Sequence, residues 1–274
     1  MYTIEVLFNR RFESVEPVIM PVVLPWYIYP CFLVVAFLYG SVGLGGATGY
    51  LAILSLFGMT EPIIAPSVLL LNILVAGISF GHFYREGFFR MDFLLPFAVT
   101  SIPASLVGGM IPLSRASFVL VLGATLLVAG VRLMVLPEMS EESGPKLTGR
   151  AYWATSLSIG IGLGLLSGVT GSGGGFLLIP VLILFYRIPP KPTAAAAAGF
   201  VVVNSVAGFA GHLLRGHVSW ELTGSLVVVV LVGGFAGARM GSTYWEASTV
   251  QQLISVVLVV GGGKLLVEFM WMFV

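Results

Sequence analysis

Eight stretches of this chain are long and apolar enough to cross a lipid bilayer. They lie near residues 23–40, 63–84, 92–111, 114–136, 152–170, 193–214, 221–240 and 248–272. A spanning helix needs about 20 predominantly apolar residues, and inside lipid every backbone polar group must be paired within the segment. Of the 274 residues 58% are apolar and 9% are charged, with a mean hydropathy of +1.04. A soluble domain carries about 25% charged residues, so the polar coat of an ordinary soluble enzyme is missing. Thirteen Lys and Arg against twelve Asp and Glu leave a net charge of +1, which gives no field for a nucleic acid. The single cysteine, Cys31, excludes a disulfide framework and a thiolate metal cluster. The expected fold class is all-α, a polytopic transmembrane helical bundle.

Two shorter apolar runs, near 47–58 and 174–186, each follow a glycine cluster. Runs of that length make only about 18–20 Å of helix, against a hydrocarbon core of about 30 Å. They read as half-helices, each forming a broken or re-entrant pair with the long run before it. Residues 1–22 mix Glu5, Arg10, Arg11, Glu13 and Glu16 with apolar residues. Charges in mid-segment do not fit a cleaved signal peptide, and an N-terminal interfacial segment is expected. Residues 137–150, with Glu138, Glu141, Glu142 and Lys146, form a polar linker. The chain divides into that N-terminal segment, a first transmembrane repeat at 23–136, the linker, and a second repeat at 151–274.

The two halves resemble each other in an ordered series of residues. Gly40-Ser-Val-Gly43-Leu-Gly45-Gly46 matches Gly168-Val-Thr-Gly171-Ser-Gly173-Gly174, an offset of 128. Asn72 is followed by Val75-Ala-Gly77, and Asn204 by Val206-Ala-Gly208. Gly81-His82-Phe-Tyr-Arg85 matches Gly211-His212-Leu-Leu-Arg215, and Asp92 and Glu221 each open the next run. Each half holds a glycine-loop pair plus three further spans. That odd parity inverts the second half relative to the first, as in many secondary transporters. Arg85, Arg90, Arg132, Lys146, Arg150, Arg187, Lys191 and Arg239 fall on one side, and Arg10, Arg11, Arg115, Arg215 and Lys264 on the other. The richer side is expected to be cytoplasmic, with both termini outside.

The glycine clusters at 43–49 and 171–175 each end a long run and start a short one. A helix N-terminus leaves about four backbone N–H groups unpaired and carries roughly half a positive charge. Glycine lets a ligand approach that backbone. Two such ends facing each other in mid-membrane can hold an anion. Thr48, Thr170 and Ser172 add hydroxyl donors. Asn72 and Asn204, in the middle of their runs, read equally as anion contacts and as clamps on the broken backbone. Gly160, Gly164 and Gly168, and likewise Gly233, Gly237 and Gly241, form stripes suited to close helix packing. His82, Arg85, His212 and Arg215 close their runs. They read as interfacial residues, with each arginine near the following carboxylate, or as a basic antechamber in which a histidine carries a proton. Glu61, Glu86, Asp92, Glu221 and Glu246 flank the runs and Glu268 lies in the last turns, so none offers the central acid of a cation carrier. Nucleophile, metal and nucleotide motifs are missing, so neither an enzyme nor a bound cofactor or metal is expected.

The segment Gly168-Val-Thr-Gly171-Ser-Gly173-Gly174-Gly175-Phe-Leu-Leu-Ile-Pro180, its first-half echo and the Asn and Gly-His segments resemble the TauE/SafE sulfite exporter family, also called the toluene sulfonate uptake permease group. The resemblance runs from about residue 25 to the end. The first-half copy departs from it, with Ala47-Thr48-Gly49 where a third glycine and an apolar residue are expected. The resemblance implies secondary transport of small sulfur-containing anions such as sulfite or sulfonates, in a bacterial inner membrane. It implies a site on Gly171, Gly173, Gly174 and Gly175, on Gly43, Gly45 and Gly46, and on Asn72 and Asn204. An anion channel using the same site is the alternative. The expected partners are the anion and the lipid bilayer, with no nucleic acid, and self-association into a homo-oligomer stays open.

Overall fold

The computed structural model of the chain describes residues 24–56, 59, 61–111, 120, 123–124, 126–128, 130–131, 134–135, 149–214 and 218–271. Nine α-helices have described bounds, and there is no strand among the described residues. They are α1 (Ile28–Ser41), α2 (Ala47–Leu56), α3 (Glu61–Arg85), α4 (Met91–Met110), α5 (Gly149–Thr170), α6 (Gly175–Pro180), α7 (Pro190–Leu213), α8 (Trp220–Arg239) and α9 (Ala247–Trp271). α6 and α8 run on into π-helical turns, Val181–Phe185 and Met240–Tyr244. The described positions between 120 and 135 are helical too, inside the run expected at 114–136. The N-terminal segment 1–22 and most of the polar linker lie outside the described residues. Gly149 and Arg150, placed in the linker by sequence, already belong to α5.

Six helical segments are long and apolar enough to cross a membrane: Ile64–Arg85, Met91–Met110, Gly149–Thr170, Pro190–Leu213, Trp220–Tyr244 and Ala247–Trp271. Each coincides with an expected run. The first expected run differs, because α1 begins only at Ile28 and has 14 residues. Pro25 pushes Leu24 away from helical backbone, and the chain enters α1 through turns closed by Ile28 N–H on the Pro25 carbonyl. The two half-helices are short as expected. α2 has 10 residues, and Gly175–Phe185 forms one short apolar helix.

Local chemistry fixes several ends. Pro190 stands at the first position of α7, where a missing N–H costs nothing. Ser219 caps α8 by accepting the Leu222 N–H at 3.3 Å, and Glu221 sits in its first turn beside the positive helix end. Asp92 does the same for α4, and the cation facing it is Arg90, at 3.7 Å, in place of the expected Arg85. Outward faces carry Val99, Val107, Val228, Val232, Val256 and Val260, which suits contact with lipid.

α3 and α7 form the centre, running antiparallel. Phe80 lies near Gly199, Asn72 meets Ser205, and Leu69 lies near Gly208. α4 packs along α5 and α7, and α8 packs along α1 and α3. The glycine stripes make these contacts close. A Cβ on Gly160, Gly164 or Gly168 would collide with the carbonyls of Phe97, Ser101 and Ser105 on α4. A Cβ on Gly233, Gly237 or Gly241 would collide with those of Leu33, Phe37 and Ser41 on α1. Both interfaces are therefore backbone against backbone, which in lipid replaces the missing hydrophobic drive between helices.

Candidate functional site

The two glycine loops meet in the interior around Asn72, which lies near the middle of α3 and is almost fully buried. Its Oδ1 accepts the backbone N–H of Ala47, the first residue of α2, at 3.1 Å. Its Nδ2 donates to the Ser172 carbonyl at 3.3 Å and to Ser205 Oγ at 2.8 Å. A Cβ on Gly45 would strike the Asn72 side-chain oxygen, and one on Gly173 would strike its nitrogen and Ser205 Oγ. Gly173, at φ +73, and Gly43, at φ +77, also adopt backbone that a side chain disfavours.

The loops pack in a matching way against the opposite central helix. Gly43 sits on the backbone of Ala194 in α7, and Gly171 on Ala65 in α3. Gly174, the cap of α6 at φ +68, faces Ser167 and Phe200. Gly175 faces Val201 and Leu44, and Gly46, at φ +93, lies under the ring of Tyr50. Both half-helices thus start at the central loops, and their carbonyl ends lead away.

Both Asn72 amide protons are spent inside the protein. Asn204 is in the same position, donating to Ser101 Oγ and to the Phe200 carbonyl, each at 3.0 Å. In this arrangement the amide protons of both asparagines are taken by protein acceptors. Asn204 does not reach the loop of its own half. Ser205, one residue on, is what α7 sets against Asn72. Thr48 Oγ1 donates to the Tyr39 hydroxyl at 3.0 Å. Thr170 Oγ1 bonds back to the Leu166 carbonyl at 2.7 Å and lies 2.6 Å from Ser172 Oγ.

The Gly-His segments are unlike each other. His212 is buried with Nε2 3.1 Å from the Gly168 carbonyl, near the end of α5. The corresponding carbonyl of Gly40 in α1 is met by Ser79, at 3.0 Å. His82 lies further along α3, edge-on to Phe235, and Arg85 is exposed at the helix end. Arg215 lies outside the described residues.

Sequence reasoning missed Tyr39, Tyr50 and Ser167. The hydroxyls of Tyr50 and Ser167 are buried beside the loops with no hydrogen-bond partner. The signal for Tyr50 was its spacing, four residues after the glycine that starts a half-helix. Among the described residues the buried polar side chains are Ser, Thr, Asn, Gln and His212, with no Asp, Glu, Lys or Arg. No three of His, Cys, Asp and Glu converge there either.

A bundle of apolar helices in which two are interrupted at glycine loops, with uncharged polar side chains inside, is a multi-pass integral membrane protein of the transporter class. The family model "Sulfite exporter TauE/SafE" matches residues 28–265. The chain belongs to that family of membrane transporters. It is 33% identical over 240 residues to "Probable membrane transporter protein y4hK" of Sinorhizobium fredii (strain NBRC 101917 / NGR234), covering 86% of this chain and 95% of that protein. It is 25% identical over 252 residues to "Probable membrane transporter protein YunE" of Bacillus subtilis (strain 168), covering 83% and 92%. No solved structure matches the chain.

Proposed function

We propose that this protein is a secondary transporter of small sulfur-containing oxyanions, sulfite or sulfonates, in a bacterial inner membrane. The anion sits between the starts of α2 and of the Gly175–Phe185 helix, and the two halves, related as inverted repeats, rock to open it to either side. One observation carries this reading. Both half-helices begin at loops that meet at Asn72, in a centre where no described residue buries a formal charge. Positive helix ends then supply the attraction that lysine or arginine would give elsewhere. Three further contacts support the inverted relation. The central helices α3 and α7 are antiparallel, the loops pack on each other's central helix, and the α4–α5 interface matches that of α8 with α1. Asn72 and Asn204 hold the frame, Thr48 and Thr170 brace the loops through Tyr39 and the Leu166 carbonyl, and backbone amides with the Ser172 hydroxyl face the guest.

The test is flux into liposomes holding the purified protein, with sulfite, sulfate, taurine and acetate supplied separately at two pH values. Saturable uptake of the sulfur oxyanions above acetate is expected. Thr48→Asp sets a carboxylate in the first turn of α2, where it favours the helix and repels an anion. That variant should stay folded and lose flux. Full flux in folded Thr48→Asp counts against the site. Gly174→Leu is a poorer probe, because a side chain there meets left-handed backbone and the Ser167 side chain.

A further inference from the structure

The first turn of α2 carries a buried group that the transport reading leaves unused. The Tyr50 side chain is fully buried, and its ring stacks on Phe32 of α1 with centroids 4.8 Å apart and planes 8° from parallel. Side chains on a helix lean toward its N-terminus, and Tyr50 leans over the turn that Gly46 begins. A Cβ placed on Gly46 would lie 2.6 Å from Tyr50 Cζ and 2.7 Å from the hydroxyl oxygen. The hydroxyl therefore stands at the start of this ten-residue helix, and it has no hydrogen-bond partner.

Buried tyrosine hydroxyls usually find a partner. A phenol O–H can donate, which is what a negative guest at a helix start requires. The buried Asn204 Oδ1 also lacks a partner, but an amide oxygen only accepts and does not suit an anion. Close to Tyr50, Thr48 Oγ1 gives its proton to the Tyr39 oxygen, so the phenol proton of Tyr39, on α1, is left free of that bond. On the other loop the corresponding unpartnered group is the small hydroxyl of Ser167, against Gly174.

We infer that the Tyr50 hydroxyl donates a hydrogen bond to the oxyanion held at the N-terminus of α2, making Tyr50 a substrate-binding residue. The inference rests on the transport reading above and adds a contact to it. The two half-sites then differ, with a rigid phenol at one loop and a serine at the other. A guest with two unlike ends, such as a sulfonate, is held in one orientation.

Tyr50→Phe keeps the ring and its stack on Phe32 and removes one oxygen. With sulfite and taurine as probes in liposomes, KM should rise about tenfold or more, the usual loss for one hydrogen bond to a charged group. Maximal rate should stay within about twofold, and the melting temperature in detergent should not fall, since a buried unpaired group has gone. A variant with wild-type KM for both probes overturns the Tyr50 assignment and leaves the transport reading standing. A fall in melting temperature with unchanged KM gives the hydroxyl a structural role and overturns it too. Wild-type protein that carries neither probe overturns the transport reading and the assignment with it.

Discussion

Asn72 Oδ1 accepts the Ala47 N–H while the Asn72 amide donates to the Ser172 carbonyl, so one side chain holds the glycine loops of both halves. The first bond satisfies a donor that the start of α2 leaves open, and the second satisfies a loop carbonyl of the other half. In a bilayer interior neither group has water to turn to, and irregular backbone persists only where such partners exist.

Asn72→Ala should therefore be costly. It removes three hydrogen bonds and strands the Ala47 N–H and the Ser172 carbonyl in a buried place. Each buried unpaired group costs about 1–3 kcal/mol, so a loss of at least about 2 kcal/mol is expected. Thermal melting in detergent measures it. A variant that melts with the wild type removes Asn72 from the role of clamp.

The glycine stripes give a paired prediction. Gly164→Leu drives a side chain into the backbone of Ser101 and should prevent folding. Gly162, on the same helix, has nothing within 4 Å of an added Cβ. Gly162→Ala should fold normally and gain up to about 1 kcal/mol from helix propensity. Expression and detergent melts of the two variants separate close packing from a general intolerance of α5 to change.

The helical architecture was legible because lipid leaves the sequence little choice. Runs such as 193–214 and 221–240 contain enough apolar residues to span and too few polar ones to do anything else. The half-helices were legible from length alone. The glycine stripes were legible because spacing by four sets one residue type on one helix face. The roles of Asn72 and Asn204 were not, since sequence alignment makes them equivalents while the helix sets them on different faces. Asn72 reaches two loops, and Asn204 turns to Ser101 on α4. Tyr50 escaped notice because an aromatic residue in an apolar run looks like core. Only the fold shows its hydroxyl ending at Gly46.

His212 and Ser79 yield a further expectation. Each bonds a carbonyl near the end of an adjoining helix, Gly168 in one case and Gly40 in the other. His212→Phe keeps bulk but removes the side-chain donor to the Gly168 carbonyl. The carbonyl keeps the Gly171 N–H as a donor, so the loss expected is that of one hydrogen bond, about 0.5–1.5 kcal/mol. Ser79 also bonds the Val75 carbonyl of its own helix, so Ser79→Ala should cost less. Melting temperatures of the two variants, compared with wild type, check the order.

The proposed inverted relation of the halves has its own test, independent of any substrate. Glu86 lies in the turn between α3 and α4, and Val218 two residues before α8. Because α3 and α7 run antiparallel, the ends of these two helices face opposite sides of the membrane. Cys31 is the one native thiol and is exposed, so Cys31→Ser gives a clean background. A membrane-impermeant thiol reagent added to intact cells should label Val218→Cys and spare Glu86→Cys, because the Glu86 side carries the excess of Lys and Arg and is expected to be cytoplasmic. In inside-out vesicles the pattern should reverse. Labelling of both positions from the same side would remove the inversion, and with it the rocking of two opposed halves around one anion.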